Sequence, residues 1–457
     1  MSAPPAERAQ ANVRSLLRLA GPIVVSRSSQ TVVGLSDALM VAHLGGTALA
    51  ATTTGAMNAF AFFILPMGTV FIVASFASQY FGKGDLAGAR RYAWYGLAVA
   101  AITQLVALAL LPALPWALGR FDFSPELAVQ LDAYLEIRLA SSGAVVALEA
   151  LANYYGGLGN TRLPMKVNVA AMALNVAGNW LLIDGHLGCP ALGVRGAAWA
   201  SVIATTGACA AFLAIFAAHG RREGRALPRL HAGELWRTLR FGLPSGLNWF
   251  FEFAAFIFFV NVVVAGLGTT VLAATMSVFQ LNAVAFMPAF ALASAGAIIV
   301  GQSIGAGQKD EVPRAVGLTF ACAGSWQVLV GLVYLVAPRL AFAPFARGDD
   351  AGALLDVGAR MLMLSAAWQL FDAAATTLAE SLRAAGDTAF TLWARTGLAW
   401  GVFAPGAWIS VRLLDGGAVV ALVWMLVYVG GLALALWLRF RAGAWRRFDL
   451  AQAPLPE

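Results

Sequence analysis

Apolar runs long enough to cross a bilayer recur along the whole chain, and no other feature constrains the fold as strongly. A helix needs roughly 20 apolar residues to cross the hydrocarbon core. Runs of that kind fall near 16–42, 52–79, 92–118, 130–157, 164–184, 192–219, 238–266, 272–301, 314–338, 353–382, 388–411 and 417–440. In lipid a backbone must satisfy its polar groups within the segment, so these runs are expected as twelve transmembrane helices in an all-α integral membrane protein. Composition agrees: 60% of the 457 residues are apolar and only 12% charged, against roughly 25% charged in soluble domains. A cytosolic enzyme, a disordered scaffold and a secreted disulfide protein are excluded.

Basic residues set the orientation. Arg8, Arg14 and Arg18 precede the first span, Lys83, Arg90 and Arg91 follow the second, and Arg162 and Lys166 follow the fourth. Arg221, Arg222, Arg225, Arg229, Arg237 and Arg240 separate the sixth from the seventh. Lys309 and Arg314 follow the eighth, Arg383 and Arg395 flank the turn from tenth to eleventh, and Arg439, Arg441, Arg446 and Arg447 close the chain. All share one side if both termini are cytoplasmic, leaving Arg120, Arg138, Arg195, Arg339, Arg347, Arg360 and Arg412 opposite. The net charge of +7 is thus a matter of topology, with no nucleic-acid partner expected. Met1–Arg14 is polar and is followed by no small-residue cleavage pattern, so no signal peptide is expected. Cys189, Cys209 and Cys322 have no metal or disulfide spacing.

The two halves of the chain resemble each other. Leu44–Thr52 (LGGTALAAT) matches Leu267–Thr275 (LGTTVLAAT) at seven of nine positions, with an offset of 223. Gln79, Gly82, Gly84 and Arg91 match Gln302, Gly305, Gly307 and Arg314 at the same offset, and Pro22 and Pro244 lie early in the first helix of each half. A duplicated six-helix unit follows, and an even count makes the repeats parallel in the membrane. The expected divisions are a tail over 1–14, an N-lobe over 15–219, a cytoplasmic linker over 220–236, a C-lobe over 237–441 and a tail over 442–457.

Charge at the centre of a membrane helix costs roughly 2.5–3.5 kcal/mol on insertion scales. Asp37 in the first span, Glu252 in the seventh and Asp372 in the tenth carry that cost. They point to a site for a proton, a sodium ion or a cationic substrate, the alternative being a bond to a neighbouring helix. Asn248 shares a helix face with Glu252, as Trp368 does with Asp372, each pair being four residues apart. An indole beside a carboxylate suits an organic cation, and equally suits packing. Asn175 and Asn179 share a face of the fifth span, where amides bond across helix contacts or line a cavity. Arg27 and Glu149 are further intramembrane charges whose role the sequence leaves open, and Pro22, Pro66, Pro244 and Pro288 fall inside spans.

The stretches Leu19–Gly45, Gly157–Gly185, Leu192–Thr205, Arg240–Phe256 and Trp368–Thr388 resemble the multidrug and toxic compound extrusion (MATE) transporters, nearest their NorM-type bacterial branch. The resemblance runs through the whole chain in order. It implies two pseudo-symmetric six-helix lobes around a cleft that alternates between the membrane faces. It also implies export of bulky, mostly cationic organic compounds in exchange for Na+ or H+, by a bacterial inner-membrane protein. On the family's pattern Glu252 and Asp372 form the cation site, with Na+ possible there, Asp37 is the first-helix acid, and Asn175 and Asn179 are the paired asparagines. Trp368 stands where the branch commonly has tyrosine, and Thr275–Met276 where it has His-Gln; both departures weaken the case for sodium. No cofactor is expected, the partners are the lipid bilayer and small organic cations, and a monomer suffices.

Three other readings compete. A lipid-linked oligosaccharide flippase of the same superfamily takes anionic cargo and suits a cationic cavity, against which the carboxylates argue. A membrane enzyme needs clustered catalytic groups, but His43, His186, His219 and His231 are scattered at span ends and loops. A channel needs neither two lobes nor acids confined to chosen helices.

Overall fold

The computed structural model describes residues 11–222, 230–346 and 351–451. Each expected span is helical: α1 (Val13–Val41), α2 (Gly46–Lys83), α3 (Leu86–Leu118), α4 in two pieces (Pro125–Leu139 and Ser142–Gly157), α5 (Arg162–Ile183) and α6 (Val194–Arg222). The second half gives α7 (Ala232–Leu267), α8 (Thr269–Gly305), α9 (Lys309–Val336), α10 (Ala351–Ala385), α11 (Thr388–Leu398, the π turn Ala399–Phe403, then Ala404–Arg412) and α12 (Ala418–Arg441). Among the described residues there is no strand. Nine of the twelve are long and apolar enough to cross a membrane by length and composition alone. The other three depart for visible reasons: α1 carries the polar run Ser26–Thr31, α4 is interrupted at Ala140 and Ser141, and α11 is diluted by Arg395 and Pro405.

The duplication is legible in the backbone. Gly45 ends the turn after α1 with φ 111° and ψ 170°, and its counterpart Gly268 has φ 102° and ψ 163°. A Cβ would be strained at both, and each caps the second helix of its half. Gly84 and Gly307, also 223 apart, both take positive φ. The next N–H then closes back on the helix: Asp85 N–H donates to Tyr80 O and Gln308 N–H to Ser303 O, both at 2.9 Å.

The chain divides into two compact units, one of Pro22–Gly246 with Ala451, the other of 11–21 with Leu247–Leu450. The cuts fall inside α1 and α7, beside Pro22 and Pro244. The linker expected over 220–236 is helical at both ends, α6 running to Arg222 and α7 starting at Ala232, and 223–229 lie outside the described residues. So do Arg8 and Arg347.

In the first unit α5 packs on α6, and α2 and α3 pack on α4. An aromatic core ties α2 to α3 and α4 to α6: Phe76 stacks on Tyr92 with centroids 3.9 Å apart, and Tyr155 on Phe212 at 5.3 Å. The first turns of α7 join this unit through Gly242 and Gly246, a GxxxG pair. A Cβ on Gly242 would sit 2.5 Å from Thr69 O, and one on Gly246 2.3 Å from Leu65 O, so only glycine lets the α7 backbone reach α2. The start of α7 is anchored as well: Arg91 Nη1 meets Glu234 Oε1 at 3.2 Å and His231 N–H donates to Tyr95 Oη at 3.0 Å.

In the second unit α10 is the hub, packed against α8, α9 and α12. Large apolar side chains remain exposed on both units, among them Leu105 and Val106 of α3 and Leu329, Leu332 and Val336 of α9. Apolar faces of that extent belong against lipid tails.

Candidate functional site

Buried polar clusters lie among the helices of each unit. In the first, Asp37 is buried near the end of α1. Asn179 Nδ2 donates to its Oδ1 at 2.6 Å and Ser201 Oγ to its Oδ2 at 3.1 Å. Asn175 Nδ2 donates to Ser201 Oγ at 3.1 Å, and Asn179 Nδ2 also reaches Asn175 Oδ1 at 3.4 Å. The carboxylate is thus held by α5 and α6, with both oxygens satisfied as burial demands. Asn179 Oδ1 is buried with no hydrogen-bond partner. The sequence pattern found Asp37, Asn175 and Asn179, and the structure brings the three together. It missed Ser201, since a lone serine in a run of alanines carries no signal.

Arg27 and Glu149 find each other. Arg27 Nη2 lies 2.8 Å from Glu149 Oε1 and Nη1 3.4 Å from Oε2, a two-pronged pair linking α1 to α4. Asn153 Nδ2 adds a bond to Glu149 Oε1 at 3.1 Å. Removing one partner strands a charge, so Arg27→Met is expected to cost about 3 kcal/mol. The check is the melting temperature in detergent, where Arg27→Met with Glu149→Leu should recover most of the loss.

The second cluster joins four helices. Glu252 of α7 forms an ion pair with Arg395 of α11. Asp372 of α10 lies within electrostatic range of both, and Tyr428 of α12 within range of all three. Asn248, one turn before Glu252, is buried with its Oδ1 unpartnered, and the Tyr428 hydroxyl lies against the Arg395 guanidinium. Trp368 is buried one turn before Asp372. Between them, Gln369 Nε2 donates to Asn282 Oδ1, tying α10 to α8.

The α7–α11 contact has further fastenings. Trp400 Nε1 donates to Phe251 O at 3.2 Å and Arg412 Nη2 to Val262 O at 3.0 Å. Both helices carry a π turn, at Phe259–Val264 and Ala399–Phe403, and Phe259 meets Phe403 across them at 5.0 Å. Such turns recur at functional positions in helices.

Arg395 corrects the reading of the positive flanks. It lies seven residues into α11, about 10 Å along the axis, and does not cap the turn before it. Its depth could have been read from the expected span at 388–411. Among the described residues no group of three or more His, Cys, Asp or Glu side chains is placed to hold a metal ion.

Carboxylates and arginines held within helices of membrane length define a polytopic membrane protein with a polar site among its spans. The family model described as MatE matches residues 22–181 and 244–409, one stretch in each half. The chain belongs to this family of membrane transporters. It is 30% identical over 417 residues to the probable multidrug resistance protein NorM of Pseudomonas putida, covering 89% of each chain. It is 27% identical over 422 residues to the multidrug resistance protein PmpM of Pseudomonas aeruginosa, covering 89% of this chain and 86% of that one. A crystal structure of a MATE protein in the bent conformation superposes with a TM-score of 0.85 at 20% identity, covering 94% of this chain and 96% of that one. An outward-facing MATE family transporter gives 0.82 over the same shares. These likenesses establish the all-helical MATE fold, with twelve spans in two repeats.

Proposed function

We propose that the protein is a multidrug efflux antiporter of the bacterial inner membrane. It exports organic, mostly cationic compounds in exchange for Na+ or H+, with both termini in the cytoplasm. The observation that carries this reading is the ion cluster Glu252–Arg395–Asp372 within membrane-length helices. The unpartnered Oδ1 of Asn248, one helical turn from Glu252, and the carboxylates are oxygens that suit a cation. Relatives of nearly full length named as multidrug resistance proteins support it. A lipophilic cation would be held by the carboxylates. A proton or sodium ion arriving from outside would neutralise them and favour release, because two cargoes that bind competing states exchange for one another.

The flippase reading needs cations free to meet an anionic cargo. The intramembrane Arg27 and Arg395 are each committed to a carboxylate, which favours cationic cargo.

The test is efflux of ethidium from proteoliposomes under a sodium gradient and a proton gradient imposed separately. Efflux driven by one gradient and dissipated when that gradient collapses is the expected result and names the coupling ion. Folded protein that responds to neither gradient would overturn antiport.

A further inference from the structure

We propose that Arg395 is a specificity-determining residue that sets the net charge of the cation site at one negative, and so tunes the transporter to cargo of a single positive charge. The inference rests on the cation-binding reading of Glu252 and Asp372 and goes beyond it.

The geometry is specific. The Arg395 side chain is only 13% exposed, whereas that of Glu252 is 37% exposed. The guanidinium therefore reaches the carboxylate from the protein side and leaves the other side of Glu252 open. Trp400 and Arg412 fasten α11 to α7 on the same chain segment, so this arginine is held in place and is not a mobile surface charge. With both carboxylates ionised, Glu252 and Asp372 contribute two negative charges and Arg395 cancels one. The charged groups acting on Asp372 are Glu252 and Arg395, and Tyr428 is the further titratable side chain of the cluster. One residual negative charge is balanced by one proton, one sodium ion or one monovalent organic cation. A dication would leave an excess positive charge beside the buried guanidinium, where the dielectric is low and the repulsion strong.

The energy that Arg395 imposes on a bound ligand scales with the ligand's charge. Removing the arginine should therefore help a dication more than a monocation, which a merely structural tie would not do. The measurement is equilibrium binding of tetraphenylphosphonium, a monocation, and methyl viologen, a dication, to the full-length protein in nanodiscs. Arg395→Gln is expected to tighten tetraphenylphosphonium about tenfold and methyl viologen by up to about a hundredfold. Arg395→Lys, which keeps the charge, should retain the wild-type order of affinities. Equal changes for the two ligands, or weaker binding of both, would overturn the proposal.

If Arg395→Gln does not fold because Glu252 is stranded, the pair Glu252→Gln with Arg395→Gln carries the test. It keeps one negative charge and should bind both ligands as wild type does; loss of that match overturns the proposal. Glu252→Gln or Asp372→Asn alone should weaken the dication more than the monocation. If neither weakens tetraphenylphosphonium, the cation-binding reading itself fails, an outcome distinct from failure of the arginine's role.

Discussion

Asp372→Asn should lower gradient-driven efflux of ethidium by about a hundredfold while leaving the protein folded. The substitution keeps volume and planarity and removes only the charge. Glu252 is already paired with Arg395, so Asp372 supplies the negative charge that the cluster has to spare. Without it the site is neutral and a cation gains nothing by entering. The measurement is the initial rate in proteoliposomes at matched protein levels, with the melting temperature as control. Asp372→Glu should restore part of the rate, since it returns the charge at the cost of one methylene. A wild-type rate in Asp372→Asn would remove the second-unit cluster from the transport path.

The second large effect is expected at Asp37. Asn179→Leu takes away the donor to Oδ1 and leaves a buried carboxylate oxygen unpaired, at a cost of about 2–3 kcal/mol. Asp37→Leu together with Asn179→Leu and Ser201→Ala removes the acceptor and both of its donors together and should regain most of that stability. Efflux then separates structure from function. If Asp37 takes part in transport, the stabilised variant stays inactive. If it is only a tie between α1, α5 and α6, that variant transports. Asp37→Asn offers a finer probe, because Asn179 Oδ1 has no partner and its amide can turn to accept from the new side chain.

Much of this was legible from the chain alone. Twelve spans follow from hydropathy, since a lipid-buried backbone has few options. The repeat follows from glycines that matched for a physical reason: Gly45 and Gly268 share a backbone conformation that other residues resist. Asp37, Glu252 and Asp372 stood out because charge is rare in a span, and Asn175 and Asn179 because four residues make one helical turn. What did not show is whatever depends on tertiary pairing. Arg395 looked like one more basic residue at a cytoplasmic turn, and only its neighbour Glu252 gives it another meaning. Ser201 and Tyr428 are ordinary residues in ordinary helices, singled out by what lies opposite. The partnership of Arg27 with Glu149 joins residues 122 apart, and no local pattern encodes it. The expected lobes, 15–219 and 237–441, follow the repeat, whereas the compact units cut the chain within α1 and α7.

That last partition bears on how the protein is made. The groove on α2 at Leu65 and Thr69 is filled by Gly242 and Gly246, which leave the ribosome some 175 residues after it does. The first unit therefore waits, incomplete, while α3 to α6 are synthesised and inserted. The second unit in turn claims residues 11–21, which are made well before the rest of it. The second unit takes the first turns of α1 and the first unit the first turns of α7, so halves produced separately by a cut in the linker would each lack a piece that the other carries.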